Sequence, residues 1–314
     1  MRSTRLGLFL VTILTLGCAQ SAQLGVFQTG AAATSPRSLE TVQSEEPRTL
    51  GRFTRWRAMD HVRKLAGDIG VRVRATEGER LGARYIKKEF ERLGYNVHVQ
   101  KFSVDGGTSR NVVAWWPDAR RYPIVVGGHM DSVPTSPGAN DNASGVAVVL
   151  EIARLARGTR QAGFLRFVAF GAEEYGSDGR HHVGSEIFVD RLGPKGRRKL
   201  GGMVSVDMVA DGRPLIIGNS GISEDVLARY LYRRVDKANV AVEYRTLCDC
   251  SDNGPFEQAG IPASFMWSGD EPNYHDDSDT VANMSPRDLE RTGKAVRAFV
   301  KSLDQALLDR LRRY

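Results

Sequence analysis

Five side chains of metal-ligating type recur along the chain in one order, His129, Asp141, Glu174, Asp207 and His275, each beyond an apolar run that reads as a buried strand. Neutral imidazole and ionised carboxylate are ligands that suit zinc, and two histidines with three carboxylates can hold two ions if one carboxylate bridges them. Glu173, beside Glu174, is free to act as a base. Taken singly the pieces are weak, because a lone histidine at a strand end is usually packed or solvated. Their joint order carries the argument.

The elements that must position them follow from local pattern. Ile124-Val125-Val126-Gly127-Gly128-His129 is an apolar strand that stops at glycines, so His129 emerges at its carboxyl end. Asp131, two residues on, is placed to accept the ring N–H of His129 and fix its tautomer. Gly138 to Gly145 then leads into Val146–Ala156, whose Ala and Leu content favours a buried helix. Asp141 therefore lies near a helix N-terminus, where the dipole keeps a carboxylate ionised. A second apolar strand, Phe164–Phe170, runs into Glu173 and Glu174. Adjacent residues point to opposite sides, which gives one ligand and one general base. Val204–Val209 places Asp207 inside a hydrophobic strand, where an ionised carboxylate is costly unless paired or metal-bound.

With these motifs, His129-Met130-Asp131-Ser132, Gly138 to Gly145, Gly171 to Gly176, Val206-Asp207-Met208-Val209 and Tyr274-His275 with Asp279-Thr280, the chain resembles the zinc aminopeptidases of the glutamate-carboxypeptidase and bacterial leucyl-aminopeptidase type, a family of co-catalytic two-zinc exopeptidases. The motifs span residues 129 to 280, and the surrounding patterns extend the resemblance to roughly 55–312. It implies two zinc ions per chain, with Asp141 bridging, His129 and Asp207 completing one site, and Glu174 and His275 the other. It also implies Glu173 as base, Tyr274 as donor to a developing oxyanion, a substrate α-amine bound beside the metals, a cis peptide after Asp141, and a Cys248–Cys250 cystine near the pocket. The two cysteines, read alone, leave a disulfide and free thiols both open, since so small a ring is strained.

The 314 residues, 41% hydrophobic and 26% charged, can bury one large core. Alternating strand and helix patterns predict an α/β fold with a mixed, mostly parallel central sheet sandwiched by helices. Helices are expected at 56–68, 79–93, 222–237 and 286–311, and strands near 96–103, 111–116, 122–128, 213–218, 240–246 and 262–267. All five ligands should then converge at the carboxyl edge of the sheet. Residues 51–314 form the expected catalytic domain.

Residues 1–22 read as an export signal, with Arg2 and Arg5 ahead of an apolar stretch from Leu6 to Leu16 that is too short to span a bilayer. Thr15-Leu16-Gly17-Cys18 resembles a lipoprotein cleavage site, although Thr15 departs from the usual leucine. Lipidation of Cys18 would attach the protein to a membrane; ordinary cleavage near Ala19 or Ala22 would secrete it. Residues 23–50, rich in Ala, Ser, Thr and Gln, read as a tether. The net charge of +7 comes from dispersed cations, mostly solvated, with attraction to an anionic envelope surface as a secondary reading and no nucleic-acid motif. His181-His182 reads as the exposed start of a helix, and Asp279 as a carboxylate that orients His275.

Peptides with a free N-terminus are the expected substrates. Three other functions compete: a one-zinc glutaminyl cyclase, a carboxypeptidase for which Arg245 could grip a substrate carboxylate, and a non-catalytic binding ectodomain. The pattern does not give the side-chain preference or the oligomeric state.

Overall fold

Period-two alternation in the apolar runs sends successive side chains to opposite faces of a sheet. Along β3 (Ile124–His129), Ile124 and Val126 enter one hydrophobic core while Val125 enters another. Both sides of the sheet must therefore be covered. The computed structural model describes residues 48–314, so the expected leader, Cys18 and residues 23–47 of the tether lie outside the described residues.

The other strands are β1 (Asn96–Val104), β2 (Gly107–Trp115), β4 (Leu165–Phe170), β5 (Gly202–Val206), β6 (Arg213–Asn219), β7 (Glu243–Thr246) and β8 (Ala263–Asp270). They form one eight-stranded sheet in the order β1-β2-β4-β3-β5-β8-β6-β7. The central four, β4, β3, β5 and β8, are parallel, while β2 and β6 join them antiparallel on either side. One face packs against α1 (Arg55–Val62), α2 (Glu77–Arg92), α3 (Gly145–Ala156), α5 (Val226–Asp236), α7 (Pro286–Lys301) and α8 (Gln305–Leu311). The other carries α4 (Val183–Arg197) and α6 (Asn253–Gln258), whose Phe188 and Phe256 meet Phe170. Each fully buried large apolar side chain contributes about 1.5–3 kcal/mol of transfer free energy.

Three local expectations need correction. The helix expected over 286–311 is two helices, because Asp304 accepts the N–H of Leu307 at 2.8 Å and starts a new one. Its predicted start holds: Pro286 is the first residue and Ser285 Oγ accepts the Asp288 N–H at 3.2 Å. Asp207 lies just past the end of β5, not inside it, so its charge sits at the sheet edge. Helix α6 was not anticipated, since Asn253-Gly254-Pro255 has the composition of a turn.

Arg72, fully buried, ties together the loops beneath the sheet's carboxyl edge. Its guanidinium donates to the carbonyls of Met130 (2.8 Å), Leu65 (3.1 Å), Gly70 (2.7 Å), Pro137 (2.6 Å) and Gly138 (2.7 Å). Burial lowers its pKa to about 10, opposed by the carboxylates of Asp131, Asp279 and Asp141, so it stays charged at neutral pH. Arg72→Met should cost about 3–5 kcal/mol in chemical denaturation, since it strands buried carbonyls and removes a countercharge. Arg72→Lys should recover little of it, because an ammonium cannot reproduce the planar fork. Near-native stability of either variant would refute this role.

Candidate active site

Close backbone approach brings the carboxyl ends of β3 and β5 together. A Cβ on Gly145, the first residue of α3, would meet the Val206 carbonyl at 2.0 Å, so only glycine lets the helix start so near β5. Gly138, at φ 63°, starts the loop that delivers Asp141. That loop is pinned at three points. Asp279 accepts the N–H groups of Asn140 (2.6 Å) and Asp141 (3.1 Å), and Asn142 donates to the Val206 carbonyl at 3.0 Å. The Asp141–Asn142 peptide is cis. Asp279 therefore holds the backbone beside Asp141 and not the ring of His275, contrary to expectation.

The five predicted ligands converge. His129 Nε2 lies 3.0 Å from Asp141 Oδ1 and 3.3 Å from Asp207 Oδ1, while His275 Nε2 lies 3.2 Å from Asp141 Oδ2 and 3.2 Å from Glu174 Oε2. The two oxygens of Asp141 thus face two different donor groups. Donor atoms of His129, Asp141 and Glu174 lie within 4.8 Å of one another, as do those of His129, Glu173 and Asp207.

Asp131 departs from its expected role. Its Oδ1 is 3.6 Å from His129 Nδ1, too long for a hydrogen bond, and its two oxygens accept the backbone N–H groups of Glu173 and Glu174, both at 3.1 Å. It fixes the turn that aims the paired glutamates. Tyr274 is 55% exposed and stacks on His275 with ring centroids 3.8 Å apart. Arg245, weighed above as a carboxylate grip, pairs instead with Glu243 at 2.5 Å on the surface.

Two residues of the site escaped sequence reasoning. His182, expected at an exposed helix start, is buried, with φ 55° and its backbone N–H on the Glu173 carbonyl at 2.7 Å. Its Nε2 lies 2.9 Å from Glu173 Oε1. Burial lowers its pKa to about 3. Asp252 is fully buried below the site and neither of its oxygens has a partner among the described residues. Ser251, next to it, donates to Asp207 Oδ2 at 2.7 Å. The only signal in the sequence was the His-His pair itself, since what His182 touches is set by a loop return from Glu173.

The electrostatics are those of crowded negative charge. Burial, followed by the charge of Asp141, pushes Glu174 up to about 7, and burial with nearby carboxylates takes Asp252 to about 7 and Glu173 well above the usual range. Burial works against protonated His129, yet the charges of Asp207 and Glu173 outweigh it and raise its pKa. Asp141 falls below the usual range despite burial, because both imidazoles donate to it. Glu174 Oε1 and Asp207 Oδ1 are buried without hydrogen-bond partners among the described residues. Such orphaned donor atoms, in a set of imidazole and carboxylate, fit bound divalent cations better than any arrangement of protein groups alone.

Cys248 and Cys250 are joined by a disulfide, and Cys250 lines the open cleft over the site together with Tyr175, His181, Met208, Asp249 and Tyr274.

Known proteins resemble the chain in sequence and in fold. Aminopeptidase YwaD of Bacillus subtilis is 34% identical over 207 residues, covering 62% of this chain and 44% of that protein. The fold resembles the structure of BSAP, a zinc aminopeptidase from B. subtilis, with TM-score 0.73 and 20% identity, over 80% of this chain and 95% of that one. It also resembles the glutaminyl cyclase of Fimbriiglobus ruber, with TM-score 0.71 and 25% identity, over 82% and 98%. The chain spans about half the length of the curated relatives it matches. The model of peptidase family M28 matches residues 111–300, and the chain belongs to that family.

Proposed function

We propose that residues 51–314 form a zinc aminopeptidase domain that removes N-terminal residues from peptides, exported by its leader and either lipid-anchored at Cys18 or secreted. The observation that carries the reading is the division of the two Asp141 oxygens between His129 and His275. In it, Asp141 would be shared between two zinc ions, one of which His129 and Asp207 would help to hold and the other Glu174 and His275. Bound zinc would supply Lewis acidity and lower the pKa of water at the site.

The chain's own groups do the rest. Glu173 accepts a proton from the attacking water and returns it to the leaving amine. His182 holds one oxygen of Glu173, leaving the other directed toward the cleft. Tyr274, exposed at the rim, donates to the oxyanion. Acidic groups beside the cleft, Asp249 among them, favour a cationic α-amine, and the cleft lining contains no Lys or Arg to receive a carboxylate. Among the described residues no helix is long and apolar enough to cross a membrane, so attachment in this reading rests on Cys18.

Glu173→Gln should retain both zinc ions and the fold while lowering kcat by several orders of magnitude, whereas Asp141→Asn should lose metal. His182→Ala should keep metal as well and lower kcat less than Glu173→Gln. Equal zinc loss in Glu173→Gln and Asp141→Asn would overturn the assigned roles, and a single tightly bound zinc per chain would favour the cyclase reading.

Which substrate end is read can be tested on one peptide. N-acetylation removes the positive charge and the amine lone pair and should reduce turnover sharply, while C-terminal amidation should matter little. The opposite pattern would indicate a carboxypeptidase.

The raised carboxyl groups give a pH dependence with a definite sign. Glu174 and Asp252 ionise near 7 in the metal-free fold, against about 4 when unfolded. The folded state thus binds more protons, and its stability, full below the unfolded value, falls as pH rises through about 7. Zinc needs the ionised ligands, so the difference in Tm between zinc-loaded and chelator-treated protein should widen from about pH 5 to about pH 8. A constant or narrowing difference would contradict this account.

A further inference from the structure

The strands that carry the metal-ligating residues at their ends also define an opposite edge at their starts, and that edge is basic. Arg120 and Arg121 precede β3, Arg160 lies in the turn before β4, and Arg198 with Lys199 precedes β5; all are exposed. Helix α8 packs against the same edge, where Gln305 donates to the Arg121 carbonyl at 3.4 Å, and it adds exposed Arg312 and Arg313. Backbone bonds hold these segments side by side: Arg120 N–H to the Gly163 carbonyl at 2.6 Å and Gly201 N–H to the Pro123 carbonyl at 3.0 Å.

Two features separate this edge from an ordinary solvated face. The Arg121 and Arg312 guanidinium carbons lie 5.4 and 4.7 Å from the centroid of one ring, Tyr122, so like charges are brought together over a shared aromatic group. None of these basal cations forms an ion pair with a described residue; exposed Arg52, Arg57, Arg84 and Arg233 form none either but are scattered, so it is the clustering of unpaired cations at one edge that sets it apart. The carboxylates interspersed among them are Asp118, Asp304 and Asp309. Asp304 is occupied as the cap of α8, and Asp309 accepts from Gln305. The remaining positive charge faces outward.

The N-terminal segment reaches the domain at this same edge. Arg48, the first described residue, makes a parallel bridge with Thr159 in the turn that leads to β4. The described chain therefore begins at this edge.

We infer that the basal edge is an electrostatic docking surface for an anionic phospholipid bilayer, which holds the domain with its catalytic edge turned away from the lipid. Phosphate headgroups supply the counterions that the chain withholds from Arg121 and Arg312. Each cation close to an anionic leaflet strengthens binding by about fivefold, and the gain is screened within a Debye length. The docking does not depend on the peptidase reading.

The test is co-sedimentation of the full chain carrying Cys18→Ser, which excludes a lipid on that residue, with phosphatidylcholine vesicles and with vesicles containing about 30% phosphatidylglycerol. The apolar leader acts on both, so the difference reports the basal edge. Binding to the anionic vesicles at about 50 mM salt should exceed that to neutral ones by at least tenfold, and the excess should fall away by about 300 mM. The variant with Arg120, Arg121, Arg312 and Arg313 all changed to Gln should lose that excess at an unchanged Tm. Should it fold poorly, Arg198→Gln with Lys199→Gln, on a separate element, should remove part of the excess. Equal binding to both vesicles, or an excess that the folded variants retain, would overturn the inference. So would tight binding of soluble polyphosphate without preference for anionic vesicles, which would make the edge a site for free phosphate.

Discussion

The burial of carboxylates at one end of a parallel sheet is the constraint on which the rest of this structure depends. Asp131, Asp141, Glu173, Glu174, Asp207, Asp252 and Asp279 are all buried there. An ionised carboxylate removed from water is tolerated only with close compensation. Asp131 and Asp279 are each compensated by a pair of backbone N–H groups, so they serve as clamps. Asp141 is compensated by two imidazoles. Arg72 adds a fixed positive charge among the carbonyls of the loops beneath. What these devices leave over is concentrated on Glu174, Asp207 and Asp252, each of which keeps a buried oxygen without a hydrogen-bond partner among the described residues.

This division of labour explains why some of the site was legible in the sequence and some was not. His129, Glu174 and Asp207 could be found because each breaks an apolar run at a strand end, where the cost of a polar group is a local matter. The period-two rule did not carry over to the two glutamates, because both lie beyond the end of β4, in a turn, and line one cleft. The roles of Asp131 and Asp279 could not be read that way. Each bonds backbone N–H groups from a distant part of the chain, Asp279 across 138 residues to Asp141, and no local pattern encodes that partner. His182 was hidden for a similar reason: its left-handed backbone folds the chain back on Glu173, and a helix-start pattern gave no sign of it. The sheet was well foreshadowed because strand signals are periodic. The division of 286–311 was not, since Asp304 acts through a single capping bond inside an otherwise helical pattern.

His182 shows how the fold spends conformational strain. A histidine at positive φ costs on the order of 1 kcal/mol or more, and such residues persist where surrounding contacts over-determine them. Here the flanking bonds, His182 N–H to Glu173 and Val183 N–H to Ala172, lock the return, and Ala172 is itself left-handed at φ 54°. The result is that Glu173 is held at its carbonyl by the backbone of His182, while the His182 ring nitrogen lies 2.9 Å from its side-chain oxygen. In the proposed reading, with Glu173 as base and Glu174 as ligand, this hold is what would let the adjacent pair do different work.

The same topology sets the polarity of the whole domain. Because the central strands run in parallel, every group that follows a strand collects at one edge and every group that precedes one collects at the other. Carboxylates occupy the first set and arginines and lysines much of the second, so the net charge of +7 is unevenly distributed. A cationic amine approaching in solution is drawn toward the acidic edge and repelled from the basal one, an effect that extends over about a Debye length at physiological salt. An anionic surface experiences the reverse. On the proposed readings, charge placement along a parallel sheet would separate what the domain acts on from what it rests against, without any contact between the two edges.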